Sequence, residues 1–466
     1  MTSTNVEIRV PLGQGELLLD TVYREGMHEY VAFGLVSHAR HNGHTTLLLR
    51  HVIPLHENQY LSTFQHGAAW RGTAMVPIIG QAVDEGLGIV LFHAHLHNGP
   101  PRLSRDDVAS AERLLPLFRQ RVPTRPHGSV VLSRSHAGGI IYLPGESKPR
   151  TTITIRWYGE AIENWGSGSD PTPTPNPNLT LDSQGLVVGE LGKTVLHKTR
   201  VAVVGLSGGG SHVVQQLAHI GIGLIIMIDP DRTEYRHRHR IVGLTWLDTL
   251  FRRQKVDVMA RLVKRLGTGS RCIKVFAKVP EPEAVEALKS ADIIVGCLDN
   301  LHARADLQEI ASRFLIPYVD VGVSIRQTPA EAKHDPRVSI GGNVITFIPG
   351  GFCMWCCGFL SKDKLSGELT GPNRSYFQNK DGEAQVVSLN GVVASQAVTE
   401  VLQLLTGFGG NGIRQQDVAL PGEHGMQRGF RKLDGIAGTL VDWGARKRMM
   451  CEHCNGTLAR GTLVWS

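Results

Sequence analysis

The clearest pattern of apolar and polar positions lies in the middle of the chain, between Val201 and Asp231. An apolar run ending at Val204 predicts a buried strand, and a turn crowded with glycine follows it. A helix and a second apolar strand come next, and that strand closes on two acids. This order of elements predicts one strand–helix–strand unit of a nucleotide-binding sheet.

The glycine turn suggests how a nucleotide would be held. Gly205, Gly208 and Gly210 carry no side chains, so backbone N–H groups can close on a phosphate. The helix that starts near Ser211 adds its partial positive charge at the same place. Asp229 ends the second strand, where such folds bind a ribose. A plain tight turn is the simpler alternative, but strand, turn, helix, strand and acid in this order favour nucleotide binding.

Apolar runs elsewhere predict two α/β domains. Residues 1–158 form the first, residues 159–180 are a linker rich in proline and small polar residues, and residues 181–466 form the second. In the first domain the patterns predict strands at 31–37, 45–53, 88–92, 129–133 and 139–143 and helices near 74–86 and after Ser104.

Composition narrows the class of protein. The 466 residues are 41% hydrophobic and 20% charged, enough for a large buried core. A net charge of +7 suits an anionic ligand or an acidic protein partner, and no basic tract with stacking aromatics indicates nucleic acid. We find no signal peptide and no window of about 18 apolar residues, so we expect a cytoplasmic protein without a membrane span. Seven cysteines, an odd number, argue against a disulfide framework.

A candidate metal centre lies in the first domain. His93 and His95 alternate at the end of an apolar strand, so both imidazoles can reach one cation. Ser104 and Asp107 follow in an S-x-x-D pattern, in which the serine can cap a helix. Two histidines and one aspartate leave a fourth position for water, which is typical of a catalytic zinc. A histidine-rich surface strand without metal is the alternative.

These motifs resemble those of the JAMM/MPN (JAB) zinc isopeptidases, which cut behind ubiquitin-like proteins. The resemblance implies that Glu29 is the general acid/base on the zinc-bound water and that Ser104 stabilises the oxyanion. The family spacer between H-x-H and S-x-x-D is usually seven residues, whereas eight lie between His95 and Ser104 here. Pairing His95 with His97 leaves six, so counting does not decide the register, and we prefer His93 with His95 because the strand ends there.

The second domain carries cationic and acidic residues after its acid pair. Arg240 and Lys255 follow Asp231, and a later apolar strand ends at Asp299. Cations offset phosphate charge and a carboxylate holds Mg²⁺, so this set suits nucleotidyl transfer better than the hydride transfer of a Rossmann oxidoreductase.

In order and spacing these elements resemble the ThiF/MoeB family, the catalytic core shared with ubiquitin-activating enzymes. The resemblance implies that Asp229 and Asp231 hold ribose and metal, that Arg240 and Lys255 contact the phosphates, and that Asp299 binds Mg²⁺. His237 falls where the family has asparagine, and Ser207 replaces a glycine of the turn. The implied reaction is attack of a carrier protein's C-terminal carboxylate on the α-phosphate of MgATP.

Two C-x-x-C pairs predict a second, structural zinc site. Four thiolates from Cys353, Cys356, Cys451 and Cys454 make a closed tetrahedral set, and a redox C-x-x-C is the alternative. The ThiF/MoeB resemblance places a helix at 388–407 and a mobile crossover loop at about 359–386. The cysteines left over are poorly placed for a thioester step, so we doubt that one exists; they are Cys272, Cys297 and Cys357.

The fold class predicted is therefore α/β: a JAMM/MPN domain followed by a Rossmann-like ThiF/MoeB adenylation domain with a structural zinc site. The leading function is ATP-dependent adenylation of a ubiquitin-like protein combined with zinc isopeptidase processing of the same modifier in a bacterial pathway. The alternatives are a sulfur-carrier adenylyltransferase and a regulatory protein that binds a modifier through a degenerate JAMM head. Expected partners are a carrier ending in Gly-Gly, a conjugating enzyme, and a second copy of the chain in a homodimer.

Overall fold

A computed structural model describes residues 5–24, 29–41, 43–64, 67–159, 161–166, 182–327, 338–370, 386–407, 430–434, 439–442 and 451–454. The chain divides into two compact units. The first contains Met1–Thr172 with Arg414–His424, and the second contains Pro173–Ile413 with Gly425–Ser466. None of the helices described is both long and apolar enough to cross a bilayer.

The first unit is built on an eight-stranded mixed sheet. Its strands run in the spatial order β10-β9-β1-β3-β2-β6-β7-β8, and β4 and β5 form a separate hairpin. The strands are β1 (Val6–Val10), β2 (Ala32–His41), β3 (His44–Pro54), β4 (Tyr60–Phe64), β5 (Gly67–Trp70), β6 (Gly88–Ala94), β7 (His127–Ser133), β8 (His136–Tyr142), β9 (Ile153–Tyr158) and β10 (Ile162–Gly166). The helices are α1 (Gln14–Val22), α2 (Met75–Asp84) and α3 (Arg105–Arg121), with 3₁₀ turns at Glu57–Gln59 and Gly72–Ala74.

Both faces of this sheet are covered, which explains the continuous apolar run of β6. Val90 and Phe92 point into a core shared with α1, whereas Ile89 and Leu91 point into a core shared with α2 and α3. All five strands predicted in this domain are present, with ends shifted by a few residues. The sheet also continues into β10, which pairs with β9. Strand β10 lies at 162–166, where the sequence predicted the start of the linker.

The second unit also contains an eight-stranded sheet, in the order β13-β12-β11-β14-β15-β16-β17-β18. Its first five strands are parallel and the remainder antiparallel. The strands are β11 (Arg200–Val204), β12 (Leu224–Ile228), β13 (Arg271–Val275), β14 (Ile293–Gly296), β15 (Tyr318–Gln327), β16 (Val338–Phe347), β17 (Phe430–Asp434) and β18 (Thr439–Asp442). The helices are α4 (Asp182–Lys198), α5 (Gly208–His219), α6 (Trp246–Leu250), α7 (Lys255–Leu266), α8 (Pro282–Lys289), α9 (Leu301–Arg313), α10 (Lys362–Thr370) and α11 (Val387–Thr406), with a 3₁₀ turn at Tyr235–His239.

The strand order reverses between β11 and β14, because β11 pairs with β12 on one side and with β14 on the other. Ligands of open α/β sheets bind at the carboxyl ends of the strands at such a reversal. Gly205, Asp229 and Asp299 follow β11, β12 and β14 respectively, so the topology brings the predicted nucleotide residues to one edge of the sheet. The predicted Rossmann-like arrangement is therefore present in this unit.

One segment differs from its prediction. The crossover segment at 359–386 was expected to be a mobile loop, but Lys362–Thr370 forms α10. Glu368 of this helix is buried and accepts hydrogen bonds from Leu301 N and His302 N at the start of α9. That contact holds α10 against the start of α9. The remainder, residues 371–385, lies outside the described residues.

Candidate functional sites

The glycine turn after β11 is a tight cradle. Gly205 has a φ of 85°, which favours glycine, and a Cβ added there would lie 2.5 Å from the Cys297 carbonyl oxygen. A Cβ on Gly210 would lie 1.8 Å from the Gly205 carbonyl oxygen. Side chains at these two positions would collide with the main chain of the turn. Gly205 N and Leu206 N already donate within the protein, so a ligand would meet the N–H groups at the start of α5. This geometry fits a nucleotide phosphate.

Asp229 braces the turn from below. Its carboxylate accepts a 2.7 Å hydrogen bond from Leu206 N and a 2.8 Å bond from Asp231 N. The side chain is almost fully buried, and burial raises its pKa while the ammonium of Lys255 opposes that rise. In this structure both carboxylate oxygens of Asp229 are occupied by backbone donors. The predicted ribose contact by this residue stays a prediction.

Lys255 lies between the two acids of the predicted D-x-D pair. Its Nζ donates to Asp231 Oδ2 at 2.7 Å and lies 3.6 Å from Asp229 Oδ1. The Lys255 side chain is 4% exposed, whereas that of Asp231 is 61% exposed. A nearly buried ammonium is held in place by one buried and one open carboxylate. The open carboxylate is free to face a metal or a nucleotide hydroxyl.

The segment that carries Arg240 is tied to the glycine turn. Ser211 Oγ donates to the Gly208 carbonyl oxygen at 2.9 Å and accepts from Val242 N at 3.1 Å. This serine therefore links the start of α5 to the residues just after Arg240. The arginine is half-buried, and its charge acts on His237, which lies below it in the 3₁₀ turn. The predicted phosphate contact by Arg240 stays a prediction.

His237 occupies the position where the resemblance predicts asparagine. Its Nδ1 accepts a 3.0 Å hydrogen bond from Glu234 N, so it shapes the 3₁₀ turn from within. Burial, followed by the charges of Lys255 and Arg240, lowers the pKa of His237 to about 4. The imidazole is therefore neutral at physiological pH and adds no charge to the site.

A cavity of about 320 Å³ adjoins this group of residues. Its walls carry several exposed arginines and one aromatic ring, and the Arg232 guanidinium stacks 5.4 Å above the Phe276 ring centre. The lining residues are Pro230, Asp231, Arg232, Glu234, Arg236, His237, Arg252 and Phe276. A cationic cavity beside the cradle suits an anionic ligand with a planar group.

Asp299 lies on the exposed loop after β14, two residues beyond Cys297. Cys297 N donates to the Val204 carbonyl oxygen at 2.8 Å, so this loop lies against the end of β11. The exposed carboxylate is an oxygen ligand of the kind that Mg²⁺ prefers. The loop thus brings Asp299 to the edge that carries the glycine cradle.

The first unit brings its predicted metal ligands together. His93 Nε2 lies 3.2 Å from Asp107 Oδ1, and His95 Nε2 lies 3.5 Å from Asp107 Oδ2. The ligand atoms of all three residues lie within 4.8 Å of one another. His97, the alternative ligand, is exposed, and its ring centre lies 6.0 Å from that of His95. Among the described residues, the ligand set is therefore His93, His95 and Asp107.

Zinc fits these three residues. His93 Nε2 is fully buried yet makes no hydrogen bond of good geometry, even though Asp107 is close. A buried ring nitrogen without a partner is costly in the absence of a cation. Burial would raise the pKa of Asp107, but the neighbouring imidazoles of His93 and His95 hold it well below its usual range. Two imidazoles and an ionised carboxylate are a suitable donor set for zinc.

The residues around this cluster have separate roles. Ser104 caps α3: its Oγ accepts from Asp107 N at 3.1 Å, and Ser104 N donates to Asp107 Oδ2 at 2.7 Å. The cap aims the Asp107 carboxylate at the histidines. Glu29 is half-buried, and its charge contributes to the raised pKa of His95, after the hydrogen bond that His95 donates to Asp107. The general acid/base role of Glu29 and the oxyanion role of Ser104 stay predictions.

The four thiols of the two C-x-x-C pairs also converge. Sγ–Sγ distances are 3.7 Å for Cys353–Cys356, 3.7 Å for Cys353–Cys451 and 3.5 Å for Cys356–Cys454. Zn–S bonds of about 2.3 Å in a tetrahedron place neighbouring sulfurs about 3.8 Å apart, close to these values. The Trp355 and His453 rings stack at 3.9 Å over the cluster's two turns. A structural zinc fits this arrangement.

The other three cysteines are poor nucleophiles. Burial raises the pKa of Cys272 to about 11, of Cys297 to about 12 and of Cys357 to about 11. Since the thiolate is the reactive form, thiols with such pKa values are protonated at neutral pH. The absence of a dedicated thioester cysteine among them stays an expectation.

Two polar clusters were not predicted from the sequence. One is Glu368 with His302, whose Nδ1 lies 2.8 Å from the Glu368 carboxylate. The other is Arg304 with Tyr318 and Asp320, all three fully buried. An aspartate inside an apolar strand such as β15 was a usable signal, because a buried carboxylate needs a partner.

Comparison with known proteins bears on the second unit. The sequence model of the ThiF family matches residues 181–442, more than half of the chain. The SAMP-activating enzyme E1 of Haloferax volcanii is 27% identical over 169 residues, 36% of this chain and 57% of that protein. The molybdopterin-synthase adenylyltransferase of Haemophilus influenzae is 25% identical over 135 residues, 29% of this chain and 54% of that protein.

The chain thus spans only a little more than half the length of these two relatives. Among solved structures, that of E. coli MccB covers 57% of this chain and 68% of its own at 17% identity, with a TM-score of 0.44. A likeness of that strength supports no argument about function.

Proposed function

Because the chain belongs to the ThiF family, we propose that its second unit is an adenylyltransferase that activates the C-terminus of a ubiquitin-like or sulfur-carrier protein with MgATP. The observation that carries this proposal is the glycine cradle braced by Asp229, with the buried Lys255 ammonium held beside it. The similarity to the two relatives named above agrees with it. Their printed names describe a SAMP-activating enzyme and a molybdopterin-synthase adenylyltransferase.

The reaction assigns a task to each group. An oxygen of the carrier's terminal carboxylate forms a bond to the α-phosphorus of ATP, and the bond from that phosphorus to the β-phosphate oxygen breaks. The products are an acyl-adenylate and pyrophosphate. Arg240 and Lys255 offset the charge that develops on the phosphate oxygens, and the cradle N–H groups orient them. Mg²⁺, held by Asp299 with Asp231, would supply further charge neutralisation.

ATP–pyrophosphate exchange tests this proposal. We expect exchange only when a purified ubiquitin-like protein ending in Gly-Gly is present, and its loss when the Gly-Gly is deleted. Lys255→Ala should lower the exchange rate by about 100-fold to 1,000-fold, as expected for removal of a transition-state donor. Absence of exchange with every carrier tried, together with no binding of ATP, would exclude adenylation.

A second function is favoured by the buried Nε2 of His93, which lies 3.2 Å from Asp107 without a well-aligned hydrogen bond. We propose that the first unit binds a catalytic zinc through His93, His95 and Asp107 and hydrolyses the amide bond behind the same carrier. Zinc would supply an activated water at neutral pH. In this proposal Glu29 moves the proton and Ser104 aims Asp107 through its capping contacts. Zinc content per chain and cleavage of a carrier–lysine isopeptide by the full chain test it.

Two rival functions make different predictions. In a sulfur-carrier system, sulfide is incorporated into the carrier after adenylation, and the first unit trims that carrier. In a regulatory protein, the first unit binds a modifier without zinc and without cleavage. Thiocarboxylate formation on the carrier favours the first rival, and stoichiometric carrier binding without exchange or cleavage favours the second. We propose a bacterial ubiquitin-like pathway as the setting, with a homodimer and a conjugating enzyme as its further components.

A further inference from the structure

Three buried polar side chains lie beneath the loop that carries Asp299. Arg304 comes from α9 and is 1% exposed, while Tyr318 and Asp320 come from β15 and are fully buried. None of them has a task in the adenylation chemistry described above. Burying a guanidinium and a carboxylate is expensive, and such a pair is weak evidence for stability in itself. The position of this buried ion pair beside the predicted nucleotide site therefore suggests a function there.

The contacts of Arg304 lead to the loop. Its Nε and Nη2 both donate to the Leu298 carbonyl oxygen, at 3.0 and 2.5 Å. Its Nη1 donates to Asp320 Oδ2 at 2.6 Å, and the Tyr318 hydroxyl donates to Asp320 Oδ1 at 2.6 Å. The guanidinium therefore clamps the main-chain carbonyl immediately before Asp299, and the other two residues hold the guanidinium.

Two glycines make room for this arrangement. A Cβ on Gly296, in β14, would lie 2.7 Å from the Tyr318 ring and 2.8 Å from its hydroxyl oxygen. A Cβ on Gly322, in β15, would lie 2.7 Å from Arg304 Nη2. The two neighbouring strands thus lack side chains where the tyrosine and the arginine cross them. The backbone is shaped around the clamp on both sides.

The clamped loop lies against the nucleotide cradle. The Cys297 carbonyl oxygen is so close to Gly205 that no side chain fits between them. Asp299 itself is exposed, and its carboxylate oxygen Oδ1 accepts a long hydrogen bond, 3.4 Å, from Asn300 Nδ2. Its carboxylate is therefore placed mainly by its backbone. A metal ligand needs a fixed position, and groups behind the ligand commonly provide it.

We propose that Arg304, backed by Asp320 and Tyr318, is a positioning residue that fixes the main chain at Leu298 so that Asp299 meets the Mg²⁺ of the bound nucleotide. This inference rests on the proposed adenylyltransferase function. Lysine cannot replace the arginine here, because one ammonium cannot reach both the Leu298 carbonyl and the Asp320 carboxylate in the planar, forked geometry of guanidinium.

The test measures metal binding without turnover. Mn²⁺ replaces Mg²⁺, ATP is added to the full-length chain, and free Mn²⁺ is followed by electron paramagnetic resonance. We expect Arg304→Lys to weaken Mn²⁺ binding in the presence of ATP about 10-fold to 100-fold, the usual range for groups behind a metal ligand. Tyr318→Phe, which removes one hydroxyl and conserves the ring, should weaken it by a smaller factor. ATP affinity in EDTA, measured by calorimetry, should change little.

Arg200→Lys is the matched control. Arg200 forms a bidentate ion pair with Asp292. Asp292 directly precedes β14, whereas Asp299 follows the other end of that strand. This control variant should lower thermal stability without changing Mn²⁺ affinity. Equal Mn²⁺ affinity in wild type and Arg304→Lys, or equal weakening in Arg304→Lys and Arg200→Lys, would overturn the positioning role.

The chosen variants keep the test decisive. If Arg304→Lys does not fold, Tyr318→Phe decides the question, and unchanged Mn²⁺ affinity in that variant counts against the inference. A wild-type chain that binds no nucleotide overturns the proposed adenylation itself. A wild-type chain that binds nucleotide and metal, with variants that bind both equally well, overturns only the positioning role.

Discussion

The two candidate metal centres differ in what they leave open. The four-cysteine cluster of the second unit offers a complete tetrahedral set, with three of its thiols buried. The cluster of the first unit offers two imidazoles and one carboxylate and so leaves a position for water. A closed set indicates a structural metal and an open one a catalytic metal. The two units therefore offer one closed and one open donor set of the kinds that zinc uses.

The two centres also differ in how the chain builds them. Cys353 and Cys451 are 98 residues apart, so a metal there joins distant parts of the second unit. His93, His95 and Asp107 come from one strand end and the first turn of the next helix. Removing a metal from the four-cysteine cluster should therefore affect folding. Removing a metal from the His93, His95 and Asp107 cluster should instead affect chemistry. Four predictions test or refine this contrast, and they follow from the largest expected effect to the smallest.

Loss of a cluster thiol should have the largest effect. We expect Cys356→Ser to release one zinc per chain and to destabilise the second unit by several kcal/mol, because binding of a structural zinc is coupled to folding. Cys357→Ser is the control, since Cys357 lies outside the cluster and its thiol donates to the Met354 carbonyl oxygen. Calorimetric unfolding and metal analysis measure both effects. A Cys356→Ser protein with full zinc and unchanged melting would show that the cluster is not a structural metal site.

Loss of a histidine ligand in the first unit should leave folding almost intact. His95→Gln should release the other zinc and lower isopeptide cleavage by about 1,000-fold, with a change in melting temperature of only a few degrees. His97→Gln is the control, because His97 is exposed and lies outside the ligand set. If His97→Gln lost zinc while His95→Gln retained it, the alternative register of the H-x-H motif would be correct.

The two active units should be separable by single substitutions. Asp299→Ala should lower pyrophosphate exchange by about 100-fold while cleavage continues, because it removes the carboxylate assigned to Mg²⁺. Glu29→Ala should lower cleavage by about 100-fold while exchange continues, because it removes the proton carrier. Parallel assays on both proteins give the answer. If either substitution abolished both activities, the assignment of one activity to each unit would be wrong.

The smallest effect concerns the charge of two histidines. The carboxylate of Asp107 raises the pKa of His95, whereas burial beside Lys255 and Arg240 lowers that of His237 from 6.5 to about 4. Between those two values the folded chain binds fewer protons at His237 than the unfolded chain, so stability falls as pH drops from about 6.5 towards 4.

His237→Asn removes this titration. We expect its free energy of unfolding to decline less than that of wild type between about pH 7 and pH 5, by up to about 2 kcal/mol. Denaturant unfolding at the two pH values measures the difference. A wild-type protein whose stability changes with pH just as that of His237→Asn does would show that His237 is not held neutral.

Sequence reasoning was most successful where the pattern was local. The strand, glycine turn and helix from Val201 onward are present as predicted because their apolar spacing is unambiguous. The four cysteines converge as their paired spacing implied. Strands β9 and β10 were not predicted, since β10 has mixed polarity and precedes a stretch rich in proline and glycine.

Long-range polar contacts could not be predicted in the same way. The hydrogen bond that Glu368 accepts from Leu301 N joins residues 67 positions apart, and no periodicity in the sequence indicates it. The clamp of Arg304 on Leu298 depends on which strands are neighbours in the sheet, which is a property of topology. The register of the H-x-H motif likewise depended on three-dimensional distance, because counting residues allowed two pairs.

Glu368 has a consequence for how the second unit can vary. Its carboxylate accepts hydrogen bonds from Leu301 N and His302 N and lies 2.8 Å from His302 Nδ1, two and three residues after Asp299. Helix α10, from a distant segment, is thereby attached to the amino end of α9, next to the loop that carries Asp299. Transplanting that segment from another protein of the family would succeed only if the donor brought an acid to the same position. Without that acid, Leu301 N and His302 N would lose their hydrogen-bond acceptor at the start of α9.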